Sequence, residues 1–94
     1  MDNETPSVVY VVEYAVDHLA KWGDIRWGQL AMFQSVASAQ NRLDQDAHSL
    51  WQQWTYDFPR CEIKLKYNTT GEAQVLINGE VCARFRVSEQ YVRP

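Results

Sequence analysis

SVASAQNRLDQDAHSLWQQW, residues 35 to 54, decides the architecture, because no other segment has so regular a helical period. Val36, Ala39, Leu43, Ala47, Leu50 and Trp54 recur at steps of three and four, so they share one stripe of a helix. Gln40, Asn41, Asp44, Gln45, His48, Gln52 and Gln53 cover the other side, and the helix must therefore lie on an apolar surface with its back to water. Ser35 is placed to cap the start by accepting a free backbone N–H. The segment from Thr55 to Pro59 marks the stop, since Pro59 cannot continue a helix.

The flanking segments supply the surface. Downstream, Cys61, Ile63, Leu65 and Tyr67 alternate with Glu62, Lys64 and Lys66, the pattern of a strand with one buried and one wet face, which makes Cys61 a small buried hydrophobe. Asn68 to Glu72 reads as a turn. AQVLI and EVCARFRV then flank Asn78-Gly79, a strong hairpin signal because both central positions of a type I′ turn need positive φ. A two-residue turn sets Ile77 opposite Glu80, Leu76 opposite Val81, Val75 opposite Cys82 and Gln74 opposite Ala83. That register predicts Leu76, Val81, Ala83 and Phe85 beneath the helix, with Val75, Ile77, Cys82, Arg84 and Arg86 on the reverse.

Upstream, VVYVVEYAV has Val8, Tyr10, Val12, Tyr14 and Val16 on one face at a period of two, and β-branched and aromatic residues dominate it. A helix over residues 6–22 competes, since Thr5-Pro6 resembles a cap and first turn, and Val9, Val12, Val16 and Leu19 form a stripe ending at Gly23. The valine density favours the strand. HLAKWGDIRWG reads as a connection, and Trp27 to Phe33 as a second strand leading into Ser35. The predicted fold is α+β, ββαβββ, one long amphipathic helix on a mostly antiparallel sheet, with ααβββ as the alternative. It occupies a single domain, 1–94, whose residues 1–7 form a flexible polar tail.

Composition narrows the function. Ninety-four residues suffice for one core but not for a deep cleft between two lobes. No segment approaches the ~18 consecutive apolar residues of a membrane span, and MDNETPS lacks the basic region of a secretory signal, so a cytoplasmic location without membrane association is expected. Cys61 and Cys82 are then expected as free thiols, and the glycosylation pattern at Asn68-Thr69-Thr70 as idle. No glycine-rich phosphate loop, nucleophile elbow or paired-carboxylate motif is present, and no cofactor or catalytic residue is expected. Asp44 and His48 stand four apart on one helical face, yet two ligands do not make a metal site. Alanine at His48 would remove the one residue a small enzyme could be built on.

Charge and aromatic residues point to surfaces. Residues 1–59 carry three basic and eight acidic side chains, a balance of −5, while residues 60–94 carry six basic and four acidic, a balance of +2. Lys64, Lys66, Arg84 and Arg86 are expected on the open side of the sheet, partly compensated by Glu62 and Glu80, as a docking surface for an acidic partner or for phosphates. The pI of ≈ 5.2 lies far below the ~9 of a typical nucleic-acid binder. Trp22, Trp27 and Tyr56 are expected to be covered by a partner, Trp22 being the most exposed and Trp54 belonging to the core. The leading expectation is a non-enzymatic module that inhibits or regulates a larger protein or complex by occupying its surface, as small immunity and phage anti-defence proteins do, an analogy of size alone. A nucleic-acid-binding domain, with Tyr67 stacking on a base, is the alternative. Self-association through an open edge at Glu80 to Val87 is compatible with either, so a homodimer is also weighed.

Overall fold

The computed structural model describes residues 7–16 and 27–92, and Trp22 lies outside the described residues. The order is β1 (Ser7–Val16), β2 (Gly28–Phe33), α1 (Val36–Asp57), β3 (Ile63–Tyr67), β4 (Ala73–Ile77) and β5 (Glu80–Val92). One helix packs on a five-stranded antiparallel sheet of order β2-β1-β5-β4-β3. The segment from Val8 to Val16 is therefore strand, and the ααβββ alternative is excluded.

Helix α1 begins as expected: the Ser35 hydroxyl accepts from the Ser38 backbone N–H at 3.1 Å. It runs past Trp54 to Asp57, where the Phe58 N–H closes the last turn on the Trp54 carbonyl. Ala39, Leu43 and Ala47 are fully buried against Val12, Ala73, Val75, Ala83 and Phe85, while Leu50, Trp51 and Trp54 pack at the margin. Two alanines in the stripe let the helix approach the sheet closely. Val36, expected on the buried stripe, is 55% exposed, because it belongs to the first turn.

The hairpin keeps half of its predicted register. Ile77 pairs with Glu80 and Leu76 with Val81, but the ladder shifts between Val75 and Leu76, so Val75 meets Ala83 and Gln74 meets Arg84. Cys82 is the extra residue of a bulge, and one inserted residue exchanges the faces of all residues beyond it. Val75 consequently joins Ala73, Ala83 and Phe85 under the helix, and Leu76 turns to the opposite face across from Lys64.

Asn78 and Gly79 both have positive φ, 53° and 84°, as the type I′ turn demands. Asn78 does a second job: its N–H donates to the Glu62 carbonyl and its Oδ1 accepts from the Glu62 N–H, each at 2.8 Å, which anchors the start of β3. Asn78→Gly keeps the backbone conformation and removes the side-chain bond alone. Its expected cost is about 1 kcal/mol, read as a lower urea midpoint with an unchanged slope.

Strand β5 is interior, paired to β1 on one side and β4 on the other. The open edge expected between Glu80 and Val87 is thus closed, because the valine-rich β1 adds to it. The sheet's edges are β2 and β3.

Candidate functional site: the edge of strand β3 beside the helix

In a strand, side chains alternate between faces while backbone N–H and C=O pairs alternate between neighbours. The Glu62 N–H and C=O both bond to Asn78, and the Asn68 N–H donates to the Glu72 carbonyl at 3.0 Å. The even-numbered residues of this segment therefore turn their backbone toward β4, and Ile63, Leu65 and Tyr67 turn theirs outward. The side chains of those three residues lie on the helix face, level with Ile77, Val75 and Ala73. Those of Lys64 and Lys66 lie on the open face, exposed.

Two bonds tie this edge to the helix. The Trp51 indole Nε1–H donates to the Ile63 carbonyl at 3.0 Å, and the Tyr67 hydroxyl donates to Asp44 Oδ1 at 2.9 Å. Asp44, His48 and Trp51 are spaced by four and three residues and so face the same strand. Between the two ties lies an open cavity of about 410 Å³, lined by His48 and Trp51 from the helix and by Ile63 to Tyr67 from the strand. His48 lines it with its ring edge-on to Trp51, centroids 6.2 Å apart. Among the described residues, no hydrogen bond reaches the outward N–H and C=O of Leu65 and Tyr67.

Partial burial, then the bond to Asp44 and its negative charge, push the Tyr67 phenol up to about 12. A pKa raised in the folded state gives stability that is whole below the unfolded value near 10 and is lost as pH rises toward 12. Burial also raises the Tyr14 phenol and the bond to Glu89 raises that of Tyr91, so spectrophotometric titration at 295 nm should find Tyr67 among several late-ionising tyrosines, and Asp44→Asn should advance the midpoint of Tyr67 alone.

The same tie gives Asp44 partners other than His48. Asp44 is engaged by Tyr67 and, at 3.3 Å, by the Gln40 amide. Among the described residues no three His, Cys, Asp or Glu side chains are grouped so as to hold a metal ion.

The four basic residues divide into two kinds. Arg86 Nε donates to Glu13 Oε1 at 2.8 Å, and the Trp27 ring stacks on its guanidinium 3.8 Å away. Arg84 reaches Glu72 at 3.4 Å. These arginine charges are matched by carboxylates less exposed than themselves. Lys64 has a loose contact with Glu62, 3.8 Å between two well-exposed groups, and both lysines sit on the edge strand. Sequence reasoning expected Glu62 and Glu80 to offset the patch and missed Glu13 and Glu72, which come from other segments and meet the arginines only through the sheet register. Trp27, expected to await a partner, is half-buried on Arg86, whereas Tyr56 is 86% exposed beside the exposed Phe58 at the end of the helix. Cys61 and Cys82 are half-buried and not disulfide-bonded, so Cys61 is less enclosed than its alternation implied. Among the described residues no helix is long and apolar enough to cross a membrane.

No known protein family, curated protein or solved structure matches this chain.

Proposed function

We propose that the protein is a non-enzymatic binding module that occupies a surface of a larger protein through the flank formed by α1 and β3, and so inhibits or regulates it. The observation that carries this reading is the edge of β3: outward backbone groups at Leu65 and Tyr67 beside a groove lined by His48 and Trp51. Edge strands of folded domains are ordinarily covered, twisted away or interrupted, because an open row of N–H and C=O groups pairs with whatever strand it meets. The exposed aromatic pair Tyr56 and Phe58 at the end of α1 extends the apolar surface available to a partner. A nucleic-acid interface is the weaker reading, since Arg84 and Arg86 are engaged by Glu72 and Glu13.

The test uses the purified chain as bait in an extract of its source cells, beside a Lys64→Glu, Lys66→Glu variant. The expected result is one stoichiometric protein that the variant recovers poorly, and whose activity the wild-type chain changes on addition. Recovery of nucleic acid that salt releases steeply would replace the protein reading. Recovery of neither by either chain would overturn both.

A further inference from the structure

We infer that β3 captures an extended acidic segment of another protein as a sixth strand, with carboxylate side chains at alternate positions over Lys64 and Lys66. The inference rests on the binding-module reading and specifies how that surface works. Three observations converge on it.

First, the backbone groups that an added strand needs are in place. Leu65 and Tyr67 each offer an outward N–H and C=O, and Ile63 an outward N–H, in the alternation of an antiparallel ladder edge. The strand itself is held by β4 along its inner edge, by the Trp51 bond to the outward Ile63 carbonyl at its start and by the Tyr67 bond to Asp44 at its end. A fixed edge loses little freedom when a peptide joins it.

Second, the two faces of the site differ in chemistry. A new strand would lie about 4.8 Å from β3. Residues opposite Lys64 and Lys66 would share the open face with those ammonium groups, and the residue between them would turn into the groove beside His48 and Trp51. Main-chain bonds supply affinity in such additions, and the alternate side chains supply selectivity. The complement is therefore an acidic, apolar, acidic alternation.

Third, the lysines select against the nearest competitors. A second copy pairing β3 antiparallel to β3 would bring Lys64 and Lys66 against the same residues of its partner, like charges directly across strands. Lysines on an edge are a common guard against this pairing. The other edge, β2, has the sequence GQLAMF and carries no charge to answer them.

The probe is a short capped peptide alternating glutamate and valine, compared with its lysine and valine counterpart and with a glutamate peptide N-methylated on the residues whose N–H groups would face β3. Binding is read from titration calorimetry, and strand addition from amide hydrogen exchange of Ile63, Leu65 and Tyr67. The acidic peptide is expected to bind saturably and to slow exchange at those three amides, while the lysine and N-methylated peptides do not. Lys64→Glu with Lys66→Glu, both exposed and harmless to the fold, should weaken the acidic peptide by at least about tenfold and admit the lysine peptide. Binding without protection of those amides, equal binding of the N-methylated peptide, or no binding at all would overturn strand addition. A chain that is dimeric on its own, with those amides already protected, would identify the occupant as a second copy and overturn it equally. Recovery of a protein partner from extract together with failure of the peptide would leave the module reading standing and remove this mechanism alone.

Discussion

Leu43→Ala is expected to lower the unfolding free energy by about 3 to 4 kcal/mol, a severe loss for a single truncation. Leu43 is completely buried on the stripe of α1, in a cluster with Val12, Ala39, Ala47, Ala73, Val75, Ala83 and Phe85, and four of those seven neighbours are alanines. Small neighbours have no side-chain freedom with which to refill a cavity, which places this site toward the costly end of leucine truncations. For a domain whose total stability is about 5 to 14 kcal/mol at the usual value per residue, the loss is a large share. At about 4 to 8 °C per kcal/mol, the melting temperature should fall by at least about 12 °C in a calorimetric scan. Leu43→Met, which keeps the volume, should cost less than about 1.5 kcal/mol. If the two variants melted together, the packing described for this face would be wrong.

Arg86→Ala should follow, at about 2 kcal/mol. Glu13 is 7% exposed on the interior strand β1, and Arg86 is its partner across the ladder to β5. Truncation leaves a carboxylate buried without its counter-charge, which costs more than the intact pair contributes. The guanidinium is itself partly open to solvent, which holds the figure below the range for fully buried pairs. Arg86→Lys keeps a positive charge but loses the planar group that Trp27 covers at 3.8 Å, so it should recover only part of the loss. Glu13→Leu combined with Arg86→Leu removes the uncompensated charge and should be closer to wild type than Arg86→Ala. A double-mutant cycle on urea midpoints separates these terms.

The helix and the hairpin turn were legible in the sequence because their signals are local. The three-and-four spacing around Leu43, the Ser35 cap and Asn78-Gly79 each need only a few neighbouring residues, and all three stand in the structure. The bulge at Cys82 was not legible. Nothing in EVCARFRV distinguishes a strand with one extra residue from one without, and turn arithmetic carries an error of one residue to every position beyond it. For that reason Val75 and Leu76 exchanged faces relative to expectation. The order of strands was hidden for a different cause, since local patterning cannot state which strand finds which neighbour, and β5 was taken for an edge when it lies between β1 and β4.

The candidate site divides along the same line. Lys64, Lys66 and the exposed Tyr56 were visible from alternation and helix phase. The engagement of Arg86 by Glu13, 73 positions away, and of Trp51 by the Ile63 carbonyl depends on register and chain path. The outward backbone of Leu65 and Tyr67 has no signature in sequence at all, because every residue carries the same peptide group.

The pairing of β1 with β5 also sets a schedule for the protein's production. Strand β1 can meet β2 soon after both leave the ribosome, but its other side must wait for residues some 73 positions later. At typical synthesis rates that interval is about 4 to 15 s. Throughout it, a strand beginning SVVYVV offers a bare, valine-rich edge to every neighbouring nascent chain. Closing so long a loop is also expected to slow folding. Yield in expression should therefore depend on temperature and on chaperone supply more steeply than the finished domain's stability would suggest.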